Sequence, residues 1–119
     1  MSIKMFWGKF KDFLLIGKSE TINLPIFSET KIIRKSISFE GQVQNVGFRM
    51  ETKLLAEKLG LTGKAINLYD GTVFVELQGT QEKIDFLITC LYQVRRIEIT
   101  NYTINDLPLV EDEVSFIIR

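Results

Sequence analysis

The chain has 119 residues, 45% hydrophobic and 25% charged, with Lys plus Arg equal in number to Asp plus Glu. That length supports one core rather than two; the balance excludes a disordered chain and gives no electrostatic reason to expect a nucleic-acid partner. One cysteine, Cys90, and no histidine exclude an internal disulfide, a Cys/His zinc site and any Ser-His or Cys-His dyad, so catalysis would fall to Arg, Lys, Asn, Tyr, carboxylates, backbone or substrate.

The neutral total hides an asymmetry. Residues 1–35 carry seven basic against three acidic residues, leaving eight against twelve for the rest. The chain therefore divides into an N-terminal extension, 1–32, and a domain, 33–119. Within the extension, Ile3, Phe6, Trp7, Phe10, Phe13 and Leu14 recur at helical spacing over residues 2–17, which predicts a short amphipathic helix closed near Gly17. Two readings stay open for it: a helix packed on the domain, or one lying on a membrane surface, since aromatic and Lys residues alternate along it. No apolar run is long enough to span a bilayer. Lys9, Lys11 and Asp12 interrupt the apolar positions that a secretory signal would need. The lone cysteine fits a reducing compartment, and a cytoplasmic location is expected. Residues 20–30, with Pro25, read as a linker or an extended edge segment.

From residue 33 the pattern becomes regular. Residues 33–41 read as a strand with Ile33, Ile37 and Phe39 on one face. A loop follows, and residues 48–59 read as a helix whose stripe is Phe48, Thr52, Leu55, Ala56 and Leu59, ended by Gly60. Residues 61–69 and 72–78 read as a strand pair around Asp70-Gly71, a signal for a two-residue type I′ turn. Thr80 is a good N-cap for a second helix carrying Ile84, Leu87, Ile88 and Leu91 on one face, and Cys90 beside that stripe reads as a buried, inert thiol. Strands are expected over 95–104, with Arg95 and Arg96 facing opposite ways, and over 113–119. The order β-α-β-β-α-β with a terminal strand is the ferredoxin-like split β-α-β sandwich of the α+β class: an antiparallel sheet with two helices on one face.

One loop carries chemistry. Gln44-Asn45-Val46-Gly47-Phe48-Arg49 runs straight into a helix. The first N–H groups of a helix have no intrahelical partner, and its dipole adds positive potential there. A phosphate oxygen can accept several of those bonds, and an arginine in the first turn can add a bidentate guanidinium. On spacing alone the same residues also fit a surface turn with Arg49 in a solvated ion pair, and Asn67 fits a residue flanking the Asp70-Gly71 turn.

Beyond spacing, Gly41-Gln42-Val43-Gln44-Asn45-Val46-Gly47-Phe48-Arg49 resembles the G-x-V-Q-G-V-G-F-R signature of the acylphosphatase family. Gly63-Lys64-Ala65-Ile66-Asn67, followed by Asp70-Gly71, is similar to that family's G-W-V-x-N block and D-G turn. Residues 72–79 and 114–118 look like its third and closing strands. The resemblance implies hydrolysis of acyl phosphates to a carboxylate and inorganic phosphate, with no cofactor and no metal. By the same resemblance, Arg49 and the backbone N–H groups of Gln44, Asn45, Val46, Gly47, Phe48 and Arg49 hold the phosphoryl group, and Asn67 orients the attacking water. The partner implied is a small acyl phosphate. The pattern departs from the family at Asn45, which stands for a glycine, and at Lys64 and Ala65, which stand for Trp and Val; a lysine at 64 could draw anions. The alternative from another class is a non-enzymatic ferredoxin-like module that binds a phosphate-bearing ligand or a protein.

Overall fold

The computed structural model describes residues 24–119; the helix expected over 2–17 lies outside these. Seven elements follow in order: β1 (Ile33–Gln42), α1 (Phe48–Leu59), β2 (Thr62–Asn67), β3 (Val73–Gly79), α2 (Gln81–Tyr92), β4 (Glu98–Leu107) and β5 (Phe116–Ile118). They build a five-stranded sheet of order β4-β1-β3-β2-β5.

Register assigns the two faces. Ile37 lies opposite both Val75 and Ile104, and Val75 lies opposite Ala65. Directly opposed residues share a face, so these line the side covered by the helices. Ile37, Val75, Ala65, Leu77 and Val73 are fully buried there with Leu55, Ala56, Ile84 and Leu87 from α1 and α2. Phe39 and Phe48 pack with ring centroids 5.0 Å apart, tying the start of α1 to β1; burying each ring contributes about 1.5–3 kcal/mol.

The sheet departs from the expectation in one pairing. β1, β3, β2 and β4 pair antiparallel, but β5 joins β2 in parallel, with Phe116 opposite Gly63 and Ile118 opposite Ala65. β4 and β5 occupy opposite edges, so the 108–115 connection must cross the sheet. It crosses on the face away from the helices, where Val110 exchanges hydrogen bonds with Gln78 (2.9 Å each) and Glu113 takes both Nη atoms of Arg34 at 2.7 and 3.0 Å. Glu113 is therefore part of this strap and not of the last strand. β4 likewise starts at Glu98 and not at Arg95, because a tight turn intervenes, with Val94 N–H donating to Leu91 O and Ile97 N–H to Val94 O.

The hairpin between β2 and β3 also differs. Leu68 N–H donates to Thr72 O, and Gly71 N–H donates to Leu68 O, which makes a three-residue loop. Gly71 takes φ 91°, while Asp70 is not among the residues with positive φ. A loop of that length needs one left-handed residue after the turn, whereas type I′ needs two. Asp70 instead accepts from the N–H and hydroxyl of Thr72, and those bonds hold its carboxyl below the usual range.

The stretch from Leu24 to Ile32 forms no strand and docks on the start of α2. The Phe27 and Phe86 rings meet edge-on at 5.8 Å. The Glu82 carboxylate accepts from Glu29 N–H at 2.8 Å, and Glu29 accepts from Glu82 N–H at 2.9 Å. With Thr80 accepting from Lys83 N–H, two of the free N–H groups in the first turn of α2, those of Glu82 and Lys83, have side-chain acceptors.

Candidate active site

α1 begins differently. Its N-cap is Gly47, at φ 76°, with no side-chain hydrogen bond to the first turn. The first helical bond closes only at Glu51 N–H to Gly47 O, 3.0 Å. The two helices thus contrast: α2 has acceptors built onto its N-terminus, while α1 opens onto a cleft.

That cleft has a volume of about 250 Å³ and is lined by Val43, Asn45, Gly47, Phe48, Arg49, Met50, Asn67 and Ile118. Five of the residues singled out from the sequence meet there: Asn45, Gly47, Phe48, Arg49 and Asn67. Asn45 takes φ 62°, the only positive φ outside glycine among the described residues. The position where the family signature has glycine thus takes a left-handed backbone in this chain, and asparagine is the non-glycine side chain that tolerates it best.

Gln44 and Val46 do not line the cleft. The Gln44 side-chain amide donates to Leu68 O at 2.7 Å and Thr72 O at 2.9 Å, fastening the loop to the hairpin just beyond Asn67. Val46 packs against the core, and its carbonyl accepts from Arg96 Nε at 2.7 Å.

Arg49 sits in the first turn of α1, and one of its nitrogens donates to Arg119 O at 2.8 Å. Four residues on along the same face, Lys53 donates to Phe116 O at 3.2 Å. α1 thereby holds both ends of β5, and the bond to Arg119 limits where the guanidinium can swing. Asn67 ends β2 on the helix-covered face, in line with Gly63 and Ala65. Its Oδ1 is buried and has no hydrogen-bond partner, an arrangement that costs about 1–3 kcal/mol unless something donates to it.

Lys64 takes no part in this site. It lies on the opposite face of the sheet, opposite Glu76 in register, with its Nζ 3.6 Å from that carboxylate, so it draws no anion to the cleft. Ala65 is fully buried in the core. Cys90 is also buried, and burial, together with the Glu51 charge, pushes its thiol well above the usual range, which disfavours the reactive thiolate.

The residue that sequence reasoning missed is Arg96. Assigned to a strand, it falls instead in the turn before β4 and reaches back beneath the loop, with Nη2 3.3 Å from Glu51. No local pattern marks such a contact, since its partners are 45 and 50 residues away.

Comparison with known proteins places the chain as a whole. The acylphosphatase family model matches residues 35–118. The acylphosphatase of Bifidobacterium longum is 34% identical over 82 residues, which cover 68% of this chain and 84% of that protein. That of Clostridium beijerinckii is 33% identical over 92 residues, covering 74% and 99%. A solved structure of an acylphosphatase from Coxiella burnetii superimposes with a TM-score of 0.67 at 29% identity, covering 74% of this chain and 93% of that one. The match runs from β1 through β5 and takes in nearly the whole length of these relatives; the chain belongs to the acylphosphatase family.

Proposed function

We propose that this protein hydrolyses acyl phosphates, with the phosphoryl group seated on the 44–49 loop against Arg49 and the attacking water oriented by Asn67. The observation that carries the reading is the single cleft shared by an uncapped helix start, Arg49 and Asn67. Transfer of a phosphoryl group to water depends mainly on positioning and on stabilising charge at the phosphoryl oxygens. The loop and helix N–H groups, with the guanidinium, supply that charge. The unpartnered Asn67 Oδ1 is an acceptor for a water proton, which would aim the oxygen lone pair at phosphorus. The leaving group is a carboxylate, a weak base, so no general acid is needed to expel it. The substrate phosphate can take the water proton, consistent with a chain that has no histidine.

The substrate is thus a small acyl phosphate, and the reaction requires no cofactor. A cytoplasmic location fits the one buried cysteine, and no described helix is long and apolar enough to cross a membrane. The test is hydrolysis of benzoyl phosphate with EDTA present, comparing wild type with Arg49→Ala and Asn67→Ala. Wild-type turnover should fall by about a hundredfold or more in each variant. Wild type that binds inorganic phosphate but does not turn over would replace this reading with a non-enzymatic phosphate-binding module.

A further inference from the structure

We propose that Arg96 is a positioning residue for the phosphate seat: clamped by Glu51, it locks the Val46–Gly47 peptide so that the Gly47 N–H faces the cleft. This rests on the reading of the 44–49 loop as the seat, and it assigns that seat a support from behind.

The peptide geometry comes first. Arg96 Nε donates to Val46 O at 2.7 Å, a charge-assisted bond that fixes the direction of that carbonyl. Every described peptide is trans, so the N–H of Gly47 points opposite to the Val46 carbonyl. With the carbonyl drawn to Arg96 behind the loop, the N–H is turned to the other side. Gly47 itself lines the cleft.

The guanidinium also sets how closely the loop can sit. A Cβ on Gly47 would lie 3.2 Å from both Nε and Nη2 of Arg96, so any side chain at this position would press on the guanidinium and only glycine lets the loop sit this close. Glu51 then fixes the guanidinium from the helix that the loop opens. It is 4% exposed, in the first turn of α1, and its Oε1 is 3.3 Å from Nη2. Loop, Arg96 and α1 form a closed triangle around the seat.

A packing role alone would not need a charged group here. Arg96 Nη1 is buried without a hydrogen-bond partner, and an apolar side chain could fill that volume without leaving a buried donor unmet. What the guanidinium adds is a directed bond to one carbonyl and positive charge behind an anion seat.

The test uses Arg96→Met, Arg96→Lys and Glu51→Gln in the full chain. For each, kcat and KM for benzoyl phosphate, the inhibition constant of inorganic phosphate and the thermal midpoint are measured. Arg96→Met should raise KM and the phosphate inhibition constant together by about tenfold. Arg96→Lys keeps the charge but not the planar donor, so it should recover less than half of that loss on a logarithmic scale. Glu51→Gln should weaken phosphate inhibition by about threefold with the loop sequence intact. If Arg96→Met fails to fold, the two milder variants decide. Phosphate inhibition within twofold of wild type in the folded variants, with only the thermal midpoint lowered, overturns the proposal and leaves the seat itself standing. Wild type that neither turns over nor binds phosphate overturns both, and does so before any variant is compared.

Discussion

Gln44 and Leu68 are joined by a 2.7 Å hydrogen bond from a side-chain amide to a backbone carbonyl. The bond links the loop that enters α1 to the residue directly after Asn67. With its second bond, to Thr72 O, the same amide bridges both sides of the hairpin base. It therefore fixes the spacing between the two halves of the proposed site, the loop entering α1 and Asn67. Gln44→Ala should lower kcat by about tenfold while KM changes less than threefold, because the loop and Asn67 each survive but lose their mutual register. Gln44→Glu should be worse, since a carboxylate would face two carbonyl oxygens. Steady-state kinetics with benzoyl phosphate on both variants checks this.

Asn45 occupies a left-handed backbone position at the rim of the cleft. Asn45→Gly keeps that backbone and clears the side chain from the rim, so KM for benzoyl phosphate should fall by about twofold or more relative to acetyl phosphate. Asn45→Ala clears the rim equally but meets the left-handed penalty, and should lower stability by about 1 kcal/mol. Thermal melts and the ratio of the two KM values separate these effects. An unchanged ratio in Asn45→Gly would make the side chain a spacer only.

The strap across the open face should respond to acid. Burial alone would raise the Glu113 pKa, but hydrogen bonds from Arg34 and Thr62 and the charges of Arg34 and Lys64 hold it below the ordinary value. A carboxyl depressed in the folded state stabilises fully above its unfolded pKa, about 4.3, and that contribution is lost as pH falls through the folded value. The thermal midpoint should therefore drop as pH is lowered from about 5 to 3. Glu113→Gln should lose about 1–3 kcal/mol at neutral pH and show a shallower acid slope. Asp70, also depressed, adds to the slope in both proteins, so the difference between the two curves reports Glu113.

Much of this fold was legible in local chemistry. The bounds of α1 were readable because Gly47 and Gly60, both left-handed, punctuate a clean apolar stripe, and α2 was readable from the Thr80 cap. Asp70-Gly71 marked the hairpin correctly but not its loop length, because the dipeptide is compatible with more than one geometry. β4 was placed early because Ile97, buried in the turn before it, continues the alternation of Ile99. The parallel pairing of β5 could not be read at all, since strand period says nothing about which neighbour a strand joins. Arg49 and Asn67, which both line the cleft, were singled out through motif resemblance. Gln44 and Arg96 act through side-chain bonds to carbonyls distant in sequence, which leave no periodic trace.

The division of labour between Arg49 and Asn67 is tested most directly by one paired measurement: the inhibition constant of inorganic phosphate and kcat for benzoyl phosphate, in Arg49→Ala and Asn67→Ala. Arg49→Ala should weaken phosphate inhibition by about tenfold or more and abolish turnover. Asn67→Ala should leave phosphate inhibition within about twofold of wild type and lower kcat by about a hundredfold or more, as loss of a group acting only on the water requires. Asn67→Ala that weakens phosphate inhibition as much as Arg49→Ala, while retaining kcat, would contradict the assignment.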